Sequence, residues 1–144
     1  MVDYKLELVL VLVSDVDRAK TFYVDKVGFN LDVDHRASDE FRVVQMTPPG
    51  SACSITIGTG LALVAPPGSY RGLHLVVSDI EAARAELVGR GVDVSEMFHF
   101  GAEGQTPGPH PERENYGTFL SFSDPDGNGW LVQEVKRADG DPPA

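Results

Sequence analysis

The sequence is poor in cysteine, in basic residues and in long hydrophobic runs. Cys53 is the only cysteine among 144 residues, so neither an internal disulfide nor a multi-cysteine zinc site can form. The apolar segment from Leu6 to Val13 has eight residues, whereas a membrane span needs about 20, and no cleavage signal follows it. We therefore expect a cytoplasmic protein with no membrane partner.

Positive charge is also scarce. Twelve Lys and Arg stand against 22 Asp and Glu, which gives a formal net charge of -10. Such a surface repels phosphate backbones, so we expect no nucleic-acid partner. The sequence also lacks a phosphate-binding loop, a dinucleotide fingerprint and a Gly-x-Ser-x-Gly elbow. The commonest nucleotide-binding and serine-hydrolase motifs are therefore excluded.

What the sequence does contain is an internal repeat. Val9–Tyr23 and Leu73–Leu87 align without gaps, and each runs from an apolar strand through Val-Ser-Asp into a helical pattern. Asp15 and Asp79 fall where a helix N-cap is expected, because a carboxylate there accepts a hydrogen bond from a backbone amide. The repeat predicts two copies of one structural unit.

Each predicted helix ends near a glycine, Gly28 or Gly91, and short β-rich stretches follow. These stretches are residues 31–35, 41–47 and 53–58 in the first copy, and 92–98, 118–123 and 130–136 in the second. Residues 101–116 are rich in glycine and proline, and we expect them to form one long loop. Each copy therefore reads βαβββ.

Alternation along the first strand of each copy separates two faces. The residues expected to pack under the helices are Val9, Val11, Val13, Leu73, Leu75 and Val77. The opposite face carries His74 in the second copy, and we expect a cavity there. The predicted fold class is α+β, with two tandem βαβββ modules whose mixed sheets curve around this central cavity and whose helices lie on the outer face.

The composition fits a single domain. A hydrophobic fraction of 42% and a charged fraction of 24% are ordinary values for a globular protein. We predict one domain over residues 1–137, with module one at about 4–60 and module two at about 70–137. Residues 138–144 are expected to be a frayed tail.

Three features together resemble the vicinal oxygen chelate superfamily: the paired βαβββ units, Val-Ser-Asp-x-x-x-Ala at both helix starts, and Ser-Asp-Pro-Asp-Gly-Asn-Gly-Trp at 123–130. This superfamily includes glyoxalase I, bleomycin-resistance proteins, fosfomycin-resistance enzymes and extradiol dioxygenases. The resemblance covers roughly residues 5–136, and the stretches from 72 to 80 and from 116 to 135 are similar to bacterial glyoxalase-like proteins. It implies the fold, whereas the chemistry depends on the site residues.

The resemblance also implies four metal-ligand positions, one pair in each copy, that are usually His or Glu. Here they fall at Leu8, Gly72 and Leu131, with the fourth near Ser54 or Thr56. Leucine and glycine offer a divalent ion no lone pair, and neutral hydroxyls alone rarely hold a transition metal. We therefore predict no cofactor.

A displaced metal site is the alternative. His74 and Gln133 each lie two residues from an implied ligand position and, by alternation, on the same face. A divalent metal would then be held through His74. Because its strand is expected to be buried, the imidazole could also take up a proton from a ligand, which makes His74 the candidate catalytic residue.

Neutral polar side chains are expected to surround the ligand. The predicted ligand-binding residues are Ser54, Thr56, His74, His99, Tyr116 and Gln133. His99 and Tyr116 are included because His99, with His110, brackets the long loop and Tyr116 lies in it, and this loop could fold across the cavity. Each of these side chains could instead be an ordinary polar position on a strand or loop.

Other notable residues have structural interpretations. The run Asp-Pro-Asp-Gly-Asn-Gly at 124–129 is too short for a calcium loop and is predicted to be a tight turn. Trp130 is interpreted as a core or interface anchor, and Cys53 as a buried structural thiol.

Three functional hypotheses follow. The first is a glyoxalase/bleomycin-resistance-like protein that binds a small organic ligand between the modules without the usual metal ligands. The second is an enzyme of the lyase, isomerase or dioxygenase type that uses a displaced metal site or His74 as general base. The third is a protein-interaction module. The resemblance also implies a homodimer, since exposed sheet edges in this architecture are commonly covered by a second copy.

Overall fold

The computed structural model describes residues 2–61 and 65–136. The chain divides into two compact units. Unit 1 contains the chain up to Arg71 together with Ser123–Asn128, and unit 2 contains Gly72–Phe122 and the chain from Gly129 onward. Each unit is built on one mixed sheet with a single α-helix among its described residues, which confirms the α+β class.

Unit 1 has a four-stranded sheet in the order β1-β4-β3-β2. Its elements are β1 (Leu8–Leu10), α1 (Val16–Thr21), a π-helical segment (Phe22–Val27), β2 (Asn30–Ser38), β3 (Phe41–Thr47) and β4 (Ser54–Thr59). β1 runs parallel to β4, and the other neighbours are antiparallel. This is the predicted βαβββ unit, with β2 longer than predicted.

Unit 2 repeats this arrangement in a five-stranded sheet of order β5-β9-β8-β6-β7. Its elements are β5 (Leu73–Val77), α2 (Ile80–Gly89), β6 (Phe98–Gly101), β7 (Gly104–Pro107), β8 (Phe119–Ser123) and β9 (Gly129–Glu134). β5 is parallel to β9, as β1 is to β4. The additional strand, β7, lies at the sheet edge.

The helix starts are as predicted. The carboxylate of Asp15 accepts a hydrogen bond from the Arg18 amide at 3.0 Å, and that of Asp79 accepts one from the Ala82 amide at 3.1 Å. Each aspartate is extended while the next residues are helical, which is the geometry of an N-cap. The Val-Ser-Asp signature therefore marks two real strand-to-helix turns.

The first helix continues beyond α1 as a π-helical segment that the sequence pattern does not reveal. Its last turn is closed by a hydrogen bond from the Gly28 amide to the Tyr23 carbonyl, five residues back, at 3.0 Å. Gly28 has φ of 93°, a left-handed conformation that glycine adopts without steric cost. Phe22 and Tyr23 are both buried at the start of this segment.

The core of unit 1 lies on one face of its sheet. Val44 and Met46 of β3 are fully buried, and Ile55 and Ile57 of β4 are buried beside them. These residues alternate along their strands with the more polar ones, as a sheet with one core face requires. The buried face identifies the opposite face as the place to search for a site.

The core of unit 2 includes Trp130, which confirms its interpretation as a core residue. Trp130 is buried and stacks on Phe122, with ring centroids 6.0 Å apart and planes 4° apart. Val132 and Glu134 lie on the same face of β9 by alternation. Glu134 accepts a hydrogen bond from the Ile80 amide at the start of α2, so this is the helix-facing side.

The Asp-Pro-Asp-Gly-Asn run forms the predicted tight turn, and it also braces unit 1. Asp124 accepts hydrogen bonds from the backbone amides of Asp126 and Asn128 and from the hydroxyl of Tyr23. The side-chain amide of Asn128 donates to the Leu12 carbonyl at 2.8 Å. The turn thus satisfies polar groups of residues more than 100 positions earlier.

Two predictions in unit 2 are wrong. Residues 92–97 are not in a strand, and the strand predicted at 92–98 starts only at Phe98. The long loop predicted at 101–116 is shortened because Gly104–Pro107 pairs with β6 across a hairpin in which Gly101 is opposite Gly104. The glycine and proline residues indicated the turn correctly, but they also led to the prediction of a loop where the short strand β7 forms.

Smaller outcomes complete the comparison. Cys53 is half-buried where a buried thiol is predicted. The tail predicted to fray, residues 138–144, lies outside the described residues. No helix within the described ranges is long and apolar enough to cross a membrane.

Candidate functional site

The face of the unit 1 sheet opposite its core carries polar side chains on neighbouring strands. Leu8 is paired with Ser54, and Leu10 with Thr56, across β1 and β4. Gln45 of β3 is the partner of Thr56 on the other side. Since partners across a ladder point to the same side, these residues share one face. We call Asp32, Gln45, Thr47, Ser54 and Thr56 the polar row.

Four members of the polar row form a chain of hydrogen bonds. Gln45 Nε2 donates to Ser54 Oγ at 3.3 Å, and the Ser54 and Thr47 hydroxyl oxygens are 2.6 Å apart. The Thr47 hydroxyl donates to Asp32 Oδ2. The chain therefore runs from β4 across β3 to a carboxylate on β2.

Thr56 is the exception in the polar row. Its side chain is buried, with 3% of the residue exposed, and Oγ1 has no hydrogen-bond partner in the part of the chain that is described. A buried hydroxyl without a partner costs about 1–3 kcal/mol of desolvation. Thr56 is therefore the predicted site residue whose geometry most clearly calls for an additional polar group.

The corresponding face of unit 2 carries His74 and Gln133. His74 of β5 is paired with Leu131 of β9, and Val76 is paired with Gln133. The four residues lie opposite the helix-facing side defined by Trp130. Gln133 is half-buried, but His74 is exposed, so the expectation of a buried strand position for His74 is wrong. β5 is covered on only one side, where Leu73, Leu75 and Val77 are half-buried.

A backbone contact fixes the protonation pattern of His74. Its Nδ1 is 2.6 Å from the Gly72 carbonyl oxygen. Because a carbonyl only accepts, Nδ1 carries the proton, and in the neutral ring the lone pair is on Nε2. Nε2 is thus the nitrogen through which His74 could accept a proton or bind a ligand.

Tyr116 and Gln133, both predicted to bind the ligand, are brought together. Gln133 Nε2 donates to the Tyr116 carbonyl at 3.1 Å, and the Tyr116 amide donates to the Glu134 carbonyl at 2.8 Å. Tyr116 has φ of 67°, in the left-handed region that non-glycine residues rarely adopt. Its residue surface is 41% exposed. The loop thus holds the Tyr116 backbone against Gln133 at a conformational cost.

His99 holds the other end of the same loop. Its Nδ1 donates to the Gly108 carbonyl at 2.8 Å, and its ring lies 6.1 Å from that of His110. His110 in turn accepts a hydrogen bond from the Glu112 amide through Nδ1. These contacts order the start of the loop, and they lie on β6 next to an aromatic cluster.

The aromatic cluster, formed by Phe98, Phe100 and Phe119, is a feature that the sequence analysis missed. Phe119 is stacked on Phe98 at 5.8 Å and meets the edge of Phe100 at 5.3 Å. Since Phe122 faces the helix with Trp130, alternation places Phe119 on the opposite side, which is the side of Gln133. Phe100 is 57% exposed. The alternation Phe-His-Phe at 98–100 was the sequence signal that could have identified this aromatic cluster.

An ion pair between half-buried Arg113 and the buried carboxylate of Glu134 anchors the loop that carries Tyr116, and the sequence did not predict it. Arg113 Nη2 donates to both carboxylate oxygens of Glu134, at 2.9 and 3.0 Å, and Nη1 donates to Glu81 at 2.8 Å. Only 2% of Glu134 is exposed. Hydrogen bonds to Glu81 and Glu134 raise the pKa of Arg113. The sequence places Glu134 on a strand but does not show which cation reaches it.

A second ion cluster lies on the helix side of unit 1. Buried Arg42 of β3 donates through Nε and Nη2 to Asp34 of β2, at 3.0 and 2.9 Å, and through Nη1 to Asp17 of α1 at 2.7 Å. Lys20 donates to Asp34 at 2.7 Å. Hydrogen bonds from Arg42 and then Lys20 hold the pKa of Asp34 well below its usual value of 3.8. This cluster joins three elements and is a structural feature.

The chain's donor atoms do not match the implied metal set. Within residues 2–61 and 65–136, no group of three or more His, Cys, Asp or Glu side chains is placed to hold a metal ion. Leu8 and Leu131, which occupy implied ligand positions, have no lone pairs. We therefore derive no chemistry through a metal.

Open grooves in each unit do not include the predicted site residues. One groove of about 330 Å³ in unit 1 is lined by Asp17, Arg18, Thr21, Phe22, Lys26 and Pro125. Another of about 310 Å³ in unit 2 is lined by Ser95, Glu96, Met97, Phe98, Gln105 and Pro107. Both are wide open to solvent, whereas ligand sites are normally concave and enclosing. Neither groove is preferred over the sheet faces.

Comparison with known proteins gives a consistent family relationship. The profile of the Glyoxalase/Bleomycin resistance protein/Dioxygenase superfamily matches residues 5–132. YetH of Bacillus subtilis (strain 168) is 27% identical over 126 residues, which cover 88% of this chain and 94% of YetH.

Two solved structures from Streptomyces sp. CB03234 are similar in both sequence and fold. TnmS3, an antibiotic-binding protein, is 34% identical with a TM-score of 0.71, and the match covers 93% of this chain and 98% of TnmS3. A glyoxalase/bleomycin resistance protein is 35% identical with a TM-score of 0.69, and the match covers 90% of this chain and all of the other.

Proposed function

This chain belongs to the glyoxalase/bleomycin resistance protein/dioxygenase superfamily, and we propose that it binds a small organic ligand through the polar row of unit 1. The observation that carries this proposal is the buried, unpartnered hydroxyl of Thr56. A ligand group that hydrogen-bonds to this oxygen would offset its desolvation cost. The antibiotic-binding relative TnmS3 supports a small organic molecule as the class of ligand.

For unit 2 taken by itself, we propose ligand contacts on the face of the sheet opposite the helix. The Gln133 side chain, which binds the Tyr116 carbonyl, offers a polar group, and Tyr116 is a partly exposed aromatic residue. The exposed Phe100 ring adds a flat apolar surface on the same side, which suits a planar ligand. His74 lies on this face too, whereas His99 alternates with Phe98 and Phe100 along β6 and therefore lies on the opposite face.

We propose that ligand binding does not use the family's usual metal set. Support comes from the apolar side chains at Leu8 and Leu131, together with Gly72 just before β5. Neutral hydroxyls and amides in the polar row suit orientation of a ligand better than its chemical activation. Sequestration is therefore the proposed mode of action.

The test is a screen of neutral organic compounds against isotope-labelled protein by NMR. Ligands are expected to shift the amide signals of Ser54 and Thr56, and Thr56→Val is expected to weaken their affinity about tenfold, the size of one desolvated hydrogen bond. Thr59→Val, on an exposed position of the same strand, should leave affinity unchanged. Ligands that bind Thr56→Val and the unmodified protein equally would refute the assignment.

An enzymatic role through His74 is the second candidate. It is favoured by the contact with the Gly72 carbonyl, which leaves Nε2 of the neutral ring able to accept a proton. Elemental analysis of protein purified without chelator, together with the His74→Ala variant, separates the candidates. About one divalent ion per chain that is lost in the variant would replace the binding proposal with a displaced-site metalloenzyme.

A homodimer is proposed as the assembly. All nine residues of the edge strand β2 are exposed, and a long exposed edge is commonly covered by another chain. Sedimentation equilibrium should give about twice the 15.6 kDa mass of the chain. A monomer at every concentration would rule this out. The cytoplasmic location stays a prediction from the sequence.

A further inference from the structure

We infer that the Ser54–Thr56 end of the polar row receives a hydrogen-bond donor on an apolar ligand, an O–H or N–H group, and rejects anions. This inference rests on the proposed function, because it names the chemistry of the ligand group at that site. Its evidence is the direction of the hydrogen bonds in the polar row, the unpartnered hydroxyl of Thr56 and the charge at Asp32.

The direction of the hydrogen bonds in the polar row follows from the last acceptor, the carboxylate of Asp32. A carboxylate only accepts, so the single hydroxyl proton of Thr47 points to Asp32. The short contact between Thr47 and Ser54 must then use the proton of Ser54. With no proton left on Ser54, the Gln45 amide has to present its nitrogen to Ser54, as observed. The protons in this chain of hydrogen bonds are therefore all directed toward β2.

This direction leaves mainly acceptors at the other end. Ser54 Oγ donates once and accepts once from Gln45, so one lone pair is unused. Thr56 Oγ1 has two unused lone pairs and one proton. Donating its proton along the chain also makes Ser54 a better acceptor, because hydrogen bonds in series polarise one another. The unused groups at this end are thus three lone pairs and one proton, which favours a ligand that brings hydrogen-bond donors.

The charge on Asp32 acts in the same sense. Asp34, two residues along β2, is neutralised by Arg42 and Lys20. In contrast, no Lys or Arg in the described ranges forms an ion pair with Asp32. Its uncompensated carboxylate disfavours an approaching anion, and the net charge of -10 adds to this repulsion.

Apolar neighbours define the rest of the ligand. Leu8 and Leu10 are half-buried on β1, directly opposite Ser54 and Thr56. An apolar body against these leucines with a hydroxyl or amino group toward Thr56 would satisfy both surfaces. The chemical class is therefore a neutral or cationic apolar molecule with an O–H or N–H donor.

Three probes of similar size test this class: phenol, anisole and benzoate. Phenol carries the donor, anisole replaces it with a methyl ether, and benzoate carries a negative charge. Each is titrated into isotope-labelled protein, and its affinity is read from the amide signals of Ser54 and Thr56. Phenol is expected to bind about tenfold more tightly than anisole, the size of one hydrogen bond to a desolvated oxygen. Benzoate is expected to be weakest.

Two variants localise the effect. In Thr56→Val the preference for phenol over anisole should disappear. In Asp32→Asn the direction of the hydrogen bonds in the polar row is no longer fixed, because an amide can donate as well as accept. The preference for phenol over anisole should therefore fall, and benzoate should gain affinity. Thr59→Val, outside the polar row, should keep the full preference.

The outcomes separate the two proposals. Equal binding of phenol and anisole at Ser54 and Thr56 would overturn the donor inference and leave the proposed ligand site in place. Benzoate binding as tightly as phenol would overturn the exclusion of anions. If no probe shifts these amides at the solubility limit, both the donor inference and the proposed site at Thr56 are wrong.

Discussion

At the scale of single residues, Thr56 lowers the stability of the folded protein and is proposed to bind the ligand. Its buried hydroxyl has no partner in the described chain, although strand position 56 could be occupied by valine with nearly the same shape. A polar group kept at such a cost is typical of sites where function and stability conflict. The conflict leads to a measurement that needs no ligand.

Thr56→Val is expected to stabilise the ligand-free protein by about 1–2 kcal/mol, because it removes a buried hydroxyl that makes no hydrogen bond. Urea denaturation measures the change. Thr118→Val is a matched comparison, since Thr118 is buried but its hydroxyl accepts from the His110 amide, and this variant should be destabilised. A loss of stability in Thr56→Val would mean that its hydroxyl is satisfied after all.

Arg113 shows the opposite case, a charge whose partner is buried. Arg113→Ala would leave the Glu134 carboxylate buried and without its cation, which typically costs about 3–5 kcal/mol. Glu81→Gln alters only the solvent-exposed arm of the same arginine and should cost under about 1 kcal/mol. Thermal denaturation of both variants measures the difference. Equal losses of stability would show that the hydrogen bonds of Arg113 to Glu134 contribute no more than its ion pair with Glu81.

At the scale of elements, the Arg42 cluster links β2 and β3 to α1 and makes this linkage sensitive to acid. The pKa of Asp34 is lowered by Arg42 and Lys20, and that of Asp17 is lowered by Arg42. A carboxyl with a lowered pKa in the folded state contributes stability above its ordinary pKa, and this contribution is lost as pH falls through the folded value. Acid should therefore weaken the connection of β2 to α1.

The prediction concerns the slope of stability against pH. From about pH 5 downward, the unmodified protein should lose stability as the unfolded chain takes up protons at Asp34, whose ordinary pKa is 3.8. Asp34→Asn should be less stable at neutral pH and should lose less on acidification. Urea midpoints between pH 3 and 7 test this, with the exposed, unpaired Asp39→Asn as control. Parallel curves for all three proteins would contradict it.

Helices and strands with a clear hydrophobic period were predictable from the sequence, whereas elements that form only by pairing with another strand were not. β3 has its predicted bounds because alternation runs unbroken from Phe41 to Thr47. β7 was missed because its residues, Gly104–Pro107, show no pattern and become a strand only through pairing with β6. The π-helical turn has no sequence signature that we could use.

The same limit applies to the candidate site. Ser54 and Thr56 could be placed on one face by alternation, and the structure places both in the polar row. Asp32 could not, because the β2–β3 register shifts between Leu31 and Val33, and this irregularity brings its carboxylate to Thr47. The ion pair of Arg113 with Glu134 could not be predicted, because a loop residue reaches Glu134 through backbone geometry that the sequence does not specify.

At the scale of the whole molecule, unit 1 is discontinuous in sequence. The chain passes into unit 2 after Arg71, and Ser123–Asn128 belongs again to unit 1. Asn128 is fully buried there, where it donates to Leu12 and Asp124 and accepts from the Tyr70 amide. A small turn late in the sequence therefore stabilises the first half of the chain.

Asn128→Ala removes these three side-chain hydrogen bonds and should destabilise the protein by about 3 kcal/mol, at roughly 1 kcal/mol for each bond. Trp130, the only tryptophan, lies two residues away and reports unfolding by fluorescence. Asn30→Ala, on the exposed edge strand, should change stability little. A similar stability for both variants would show that the turn does not brace unit 1.

The discontinuity of unit 1 also affects the order of events during protein synthesis. Tyr23 and Leu12 leave the ribosome before unit 2 is made, but the turn that satisfies their polar groups is translated more than 100 residues later. Because domains acquire their native packing only when all their parts are present, unit 1 stays incomplete until residue 128 has emerged. Folding of unit 1 is therefore completed only after most of unit 2 has been translated, although most of the residues of unit 1 come first.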